Sequence, residues 1–524
     1  MARDLNAVID EIGMGAYQMT MLLLIGGVMI SDGAEILVSS SILGVLKDRW
    51  GLTSMVRGMM MSVIFLGVFA GSLIGGQLGD RLGRRRAVLS SYSGIVIFGA
   101  CNAAAQGPIS MLILRFFFGA SFGVGLPPGM ALQVETSPSS WRGHIINLGG
   151  LWFTLGEVYT AVLLIIFMPE LTDPDGTSWR LVSLLSVVPG LLLLPFAWLL
   201  LQESPHYLLS NNMQSEAVLS VQYIAHMNNQ AEKVEGLSAE STVPQLILPE
   251  IVEGATQGSS SSSSRDSSGG EELQPVPVKT LSQTFELLFG KVYRSIIIGG
   301  AYLCFLSNFL FYGLTYALPI IFKTLGSEIS PALQVLVISL CDLPGVLLGF
   351  FLIYSKNISH RTGLTILAAT ASVLALALIS MDHGDKYLYV GLPAAYLAKF
   401  VAAAFFTLSY VYLTEIFPSS VRATGLALCV SMGRMGSIFS PLIFELLHEK
   451  ALEIGSHAPF MILTSVLSLL GIVVIKFSLY FELKNAPLQQ RRTSKLSLPG
   501  IENLHASKEG EKTPLHLSGP APAG

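Results

Sequence analysis

Long apolar runs separated by short polar breaks constrain this chain more than any other feature. A bilayer core needs about 20 apolar residues per helix, and such runs fall at approximately 18–45, 58–78, 87–107, 109–134, 145–168, 180–202, 294–322, 331–354, 361–381, 387–416, 422–448 and 458–480. Only 13% of the residues are charged, where a soluble chain carries roughly a quarter. The expected fold is therefore an all-α polytopic membrane protein, with twelve transmembrane helices in two pseudo-symmetric six-helix bundles. The expected organisation is an N-terminal segment at 1–17, a first bundle at 18–202, a linker at 203–293, a second bundle at 294–480 and a tail at 481–524.

The linker contains SSSSSS and RDSSGGEE, a composition that cannot bury a core, and the tail is similarly polar. Basic residues in short loops orient a membrane protein. Arg81, Arg84, Arg85 and Arg86, the linker, and Arg491, Arg492 and Lys495 of the tail fall on one side. That side, with both termini, is expected to be cytoplasmic, although Lys47, Arg49 and Arg57 stand in the first loop of the other side. The sequon at Asn357 would then stay unmodified. Cys101, Cys304, Cys341 and Cys429 lie in apolar runs and read as small buried hydrophobes. The polar, acid-containing start and the length of the first run do not fit a cleavable signal.

The chain repeats itself at an offset of 280. ETSPSSWRG, from Glu135, returns as EIFPSSVRA, from Glu415, so that Arg142 corresponds to Arg422. Arg81 and Gly83 correspond to Arg361 and Gly363, and Gly156 to Gly436. One offset shared by separated places indicates two parallel six-span repeats, with a site between them near the midplane. The turns end helices through Pro138 and Pro418. Their repeated Glu and Arg suit ion pairs of a cytoplasmic gate that break as that side opens.

Ionisable residues inside the runs are functional candidates, because each costs at least about 2.5–3.5 kcal/mol at the bilayer centre unless answered. They are Asp32 and Glu35 on span 1, Arg115 on span 4, Glu157 on span 5, Asp342 on span 8, Lys399 on span 10 and Arg434 on span 11. Mutual pairing that only holds helices together is the competing explanation. Asp32 and Glu35, three residues apart, share a helix face. Their repulsion favours a proton on one of them, as a proton-coupled site requires.

GGQLGDRLGRRR, from Gly75, resembles the loop signature between spans 2 and 3 of the major facilitator superfamily. The first span with its D-x-x-E pair, QESPHYLL, CDLPG, YVYLTEIFPSSVRATGLA and GRMGSIFSP are similar to stretches of synaptic-vesicle-2-related and organic ion transporters of the sugar-porter-like branch. The resemblance implies alternating access, and a cytoplasmic gate containing Asp80, Arg81, Gly83, Arg84, Arg85, Glu135, Arg142, Glu415 and Arg422. His360 replaces the second-half counterpart of Asp80, so the second lock should be weaker. In related sugar porters a span 1 Asp pairs with a span 4 Arg, positions matched by Asp32 and Arg115.

The family resemblance also bears on the solute. Arg in this part of span 11 accompanies anion transport in organic ion relatives, so Arg434, with Lys399, points to an organic anion or zwitterion. An organic cation and a sugar are the alternatives. Sugar porters carry a Gln at the position of Gly150 and a Gln pair on span 7. Here span 7 offers Asn308, Phe311 and Tyr312 without that pair, which demotes sugar. Trp152, Phe311 and Tyr312 fit a pocket or helix packing equally well. No nucleotide-binding loop, metal-ligand spacing or catalytic domain is apparent, so neither an enzyme nor a cofactor is expected. The expected partners are a small organic solute, protons and the lipid bilayer, with no nucleic acid, and the chain reads as a monomer of the plasma membrane or a vesicle membrane. A non-transporting vesicle or sensor protein is the rival from another class. RRTS at Arg491 is a candidate kinase target.

Overall fold

The computed structural model describes residues 3–238, 245–248, 289–290, 294–324, 328–355, 357–383, 385–417, 422–452 and 457–485. The Ser-rich part of the linker, the turn at 418–421 and the tail with RRTS lie outside the described residues. The first half contains span 1 (Ala16–Trp50), span 2 (Ser54–Leu82), span 3 (Arg84–Asn102), span 4 (Pro108–Glu135), span 5 (Arg142–Phe167) and span 6 (Ser178–Leu200). The second contains span 7 (Arg294–Thr324), span 8 (Pro331–Tyr354), span 9 (His360–Leu378), span 10 (Asp385–Ile416), span 11 (Arg422–Leu452) and span 12 (Ala458–Asn485). Eleven of these are long and apolar enough to cross a membrane. Span 3 is the exception, since its first turn is Arg84, Arg85 and Arg86. It nevertheless packs on spans 4 and 6 as the others pack on their neighbours.

With lipid rather than water outside, little hydrophobic force drives helices together, and close backbone approach matters more. The repeat supplies that approach at equivalent places. A Cβ on Gly156 would stand 2.0 Å from the Ile30 carbonyl oxygen, where span 5 crosses span 1. A Cβ on Gly436 would stand 2.3 Å from the Phe305 carbonyl oxygen, where span 11 crosses span 7. The two glycines matched by the offset thus do the same structural job. Gly83 and Gly363 do not. Gly83 takes φ +98° in the turn joining spans 2 and 3, whereas Gly363 lies inside span 9. The halves meet where span 2 packs on span 11, span 5 on span 8 and span 1 on span 7. Cys304 and Cys429 are buried as expected, but Cys341 is half-buried and Cys101 is exposed.

The two polar ends of the first half turn out to be folded together. Helix Leu5–Ile12 buries Leu5, Val8, Ile9 and Ile12. They join the same core as Ala217, Val218, Val221, Ile224 and Ala225 of linker helix Gln214–Met227. Arg3–Asp4 pairs in parallel with Leu246–Ile247. The first part of the linker therefore has the apolar periodicity to pack, and only the Gly/Ser-rich part lacks it. Asn6 Oδ1 accepts from Arg142 Nη2 at 2.9 Å and lies 3.1 Å from His206 Nε2. Asp10 accepts from Ser139 N at 2.6 Å and Ser139 Oγ at 2.9 Å.

Two outcomes are expected. Gly156→Val and Gly436→Val should each destabilise by about 1–3 kcal/mol or more through overpacking, measured by thermal unfolding in detergent. Gly76→Val, whose Cβ meets nothing within 4 Å, should be close to neutral. The second concerns His206, which burial and then Arg142 lower from 6.5 to about 4. Between those values it is protonated when free and neutral when docked, so docking loses stability as pH falls through that window. Proteolysis near residue 12 should accelerate on acidification, and His206→Gln should flatten that response.

Candidate functional site

A cavity of about 200 Å³ lies between the halves. Its wall comes from spans 1, 4 and 5 of the first half and spans 7, 8, 10 and 11 of the second. It reaches from mid-membrane towards the face carrying the linker, as Gln133, Gly149 and Tyr410 near the linker-side ends of their helices line it. Most of the wall is apolar or aromatic: Trp152, Phe153, Phe311, Tyr312, Phe406 and Tyr410. Asp32 enters from the first half and Arg434 from the second, and each lies in the electrostatic field of the other. Arg434 is also within hydrogen-bond reach of Tyr312.

The candidate charges separate into three groups. Only Asp32 and Arg434 line the cavity. Glu35 turns into the first half, accepting from Asn102 Nδ2 at 2.8 Å and Ser39 Oγ at 3.3 Å. Arg115 lies in the field of Glu35 and donates to the Met60 carbonyl at 3.2 Å. Span 1 thus sends its two acids to different places, and the cation beside Asp32 is Arg434 rather than Arg115. Lys399, Asp342 and Glu157 form a third group behind the wall. Lys399 Nζ is 2.9 Å from Asp342 Oδ2 and 3.6 Å from Glu157 Oε1, and all three are buried. Asn308 does not line the cavity. It braces spans 7, 10 and 11, donating to the Cys304 carbonyl at 2.8 Å and Tyr410 Oη at 3.0 Å and accepting from Ser437 Oγ.

The linker-face charges interlock within the first half. Arg84 Nε is 3.3 Å from Glu135 Oε2, and Arg84 Nη2 is 3.2 Å from Asp80 Oδ1. Glu203 accepts from the backbone N–H groups of Arg84 and Arg85, giving span 3 the cap that Gly83 cannot provide. Ser204 donates to Glu135. Arg85 donates to the carbonyls of Leu201 and Trp198, at the end of span 6. The Arg81 carbonyl accepts from Tyr207 Oη at 3.1 Å, and Arg142 is engaged with Ser137 and Asn6. The G-x-L-x-D-R-x-G-R-R loop, the E-S-P element and the first P-S-S turn are therefore one assembly. The expected ion pairs of these residues tie helices of one half in this conformation, not one half to the other. The side chains of Glu415 and Arg422 lie outside the described residues.

Besides Lys399–Glu157 behind the cavity wall, the ion pairs described between the halves sit at the opposite face. Arg57 of span 2 pairs with Glu445 of span 11, both buried, and Glu445 also accepts from Tyr316 Oη at 2.5 Å. Ser62 Oγ donates to the Ile438 carbonyl at 2.6 Å, Lys323 stands 3.8 Å from Asp48, and the Phe65 and Tyr312 rings are 4.6 Å apart. Sequence reading treats Arg57 as a loop residue and passes over Glu445. The second was legible, since Glu445 falls inside the apolar run 422–448. The first was not, because the helix begins before Arg57, at Ser54.

The sequence family described as "Sugar (and other) transporter" matches residues 28–493. The chain belongs to that family. It is a multi-pass membrane protein of the major facilitator superfamily, with the fold of transporters and not of enzymes. It is 25% identical to the synaptic vesicle 2-related protein of Xenopus laevis over 469 residues, covering 85% of this chain and 76% of that one. It is also 25% identical to the organic cation/carnitine transporter 7 of Arabidopsis thaliana over 449 residues, covering 82% and 86%. The inward-open xylose transporter XylE of E. coli, elsewhere described as a proton:xylose symporter, shares the fold with a TM-score of 0.64, at 16% identity over 93% of this chain and 99% of that one.

The opposite-face seal leads to a further expected outcome. Breaking a buried pair by removing one partner costs about 3–5 kcal/mol, so Glu445→Gln should shift the population towards a cavity open at that face. A cysteine introduced at Thr154 should then react faster with a membrane-impermeant thiol reagent from that side. Equal labelling with and without Glu445→Gln would count against a seal made by this pair.

Proposed function

We propose that the chain is a secondary active transporter. It moves a small organic anion or zwitterion by alternating access, coupled to protons. The observation that carries this reading is the meeting of Arg434 and Asp32 from opposite halves in a largely aromatic cavity. Arg434 offers a planar fork of donors to a carboxylate. Lys399 already faces two carboxylates, which leaves Arg434 as the cation for the solute. Asp32 faces the ammonium end of a zwitterion, and the aromatic wall supports a cation by its ring faces. Binding a solute between charges on different halves supplies the differential affinity that shifts one conformation to another. The linker side is the cytoplasmic side in this proposal, so the conformation is open inward. The membrane is the plasma membrane or a vesicle membrane, the latter supported by the synaptic-vesicle-related relative.

The experiment is uptake into proteoliposomes of four probes, with and without an inward proton gradient. The probes are nicotinate, carnitine, tetraethylammonium and xylose. Nicotinate and carnitine are expected to enter, with faster entry under the gradient. A hydrogen bond to a charged group contributes about 1.5–3 kcal/mol, so Arg434→Gln should weaken both about 10–100-fold. Asp32→Asn should weaken carnitine and spare or strengthen nicotinate, because it removes a competitor for Arg434. Entry of tetraethylammonium or xylose alone would overturn the assignment of substrate class. Flux of none of the four, with intact folding, would favour a non-transporting role.

A further inference from the structure

The group behind the cavity wall has unequal charge. Glu157 and Asp342 are 0% exposed and Lys399 is 1% exposed, so full ionisation would leave one uncompensated negative charge in the middle of the membrane. Such a charge costs several kcal/mol unless it is neutralised. The two carboxyl groups lie within hydrogen-bond reach of one another. Yet apart from the Lys399 ammonium beside Asp342 Oδ2, no donor reaches any of their four oxygens. Two acceptors held together with no donor between them need one proton. We propose that Glu157, Asp342 and Lys399 form the site that carries the coupling proton, held as an O–H between the two carboxyl groups and separate from the residues that contact the solute. This deepens the proton-coupled reading above and rests on it.

The surroundings fit one proton and no more. On span 10, Lys399 stands opposite the pair and Tyr396 lies nearby. On span 8, Cys341 adjoins Asp342. Span 7 contributes the Thr315 hydroxyl, 2.5 Å from Lys399 Nζ. From span 1, Asp32 lies within electrostatic reach of Glu157 on the cavity side. Uptake forms one O–H bond on a carboxylate and brings the group to neutrality, and release breaks that bond and returns the proton to water. Glu157 belongs to the first half, Asp342 and Lys399 to the second. The protonated state therefore joins spans 5 and 8, and the deprotonated state sets two carboxylates against each other across that seam. The link to the solute is Phe311, whose ring centre is 3.8 Å from Lys399 Nζ and which also lines the cavity.

Two measurements on the full-length protein in lipid test this. The first is infrared spectroscopy of the protonated carboxyl C=O band through a pH titration. It needs no solute, so it reads the triad even if the wild type moves none of the four probes. The band should be present at neutral pH and disappear on alkalinisation. Glu157→Gln and Asp342→Asn should each abolish it, since either leaves a neutral carboxylate–ammonium pair, while Asp32→Asn should retain it. The second is gradient-driven accumulation of nicotinate, which Glu157→Gln should lose. A band that survives both substitutions, or that vanishes only in Asp32→Asn, overturns the proposal. Each substitution removes the excess charge, so both proteins are expected to fold. Failure of both to fold would overturn the charge balance on which the inference stands.

Discussion

A charge withdrawn from water into a bilayer has to be answered within a few ångströms, and this structure is arranged around such answers. Arg57 is answered by Glu445, Arg115 stands beside Glu35, and Lys399 is shared by Asp342 and Glu157. Each arrangement joins particular helices, so the ionic pattern is also a map of which elements are tied together in this conformation. Glu35 and Arg115 lie within one half. Arg57 with Glu445, and the Lys399 group, cross from one half to the other. Asp32 and Arg434 line the cavity from opposite halves, each in the electrostatic field of the other.

Glycine makes these placements possible. Where Gly33 meets the Phe153 carbonyl and Gly156 meets the Ile30 carbonyl, spans 1 and 5 cross with backbones in near contact. That crossing holds Asp32, Trp152 and Phe153 on one wall. Where Gly436 meets the Phe305 carbonyl, spans 7 and 11 do the same for Tyr312 and Arg434. Sequence duplication, helix crossing and site geometry are thus three levels of one arrangement.

The helices, their grouping in two halves and the identity of the membrane charges were legible because hydropathy and rare ionisable residues report directly on a lipid solvent. What each charge faces was not legible. Asp32 and Glu35 are three residues apart on one helix, yet one lines a cavity and the other faces Asn102. The direction depends on the crossing angle of span 1 with spans 3 and 5, which no local pattern records. Glu203 and Ser204 were readable only as part of a family element. Their role emerges once span 3 is seen to begin at a glycine with no capping side chain. The packing of Leu5–Ile12 was hidden by its polar neighbours, though Leu5, Val8, Ile9 and Ile12 carry a helical spacing.

The ion pairs described at the two faces of the molecule join different elements. At the face opposite the linker, the ion pair Arg57–Glu445 and its neighbours tie one half to the other, so parting the halves there separates charges. At the linker face, Arg84, Glu135, Asp80 and Glu203 are satisfied within the first half and its adjoining segment. Among the described residues, that cluster ties spans 2, 3 and 4 and the segment from Glu203 to Tyr207 to one another and not to the second half. The described ionic contacts between the halves are accordingly lopsided. Of the ion pairs described, those at the face opposite the linker resist parting of the two halves, and those at the linker face do not.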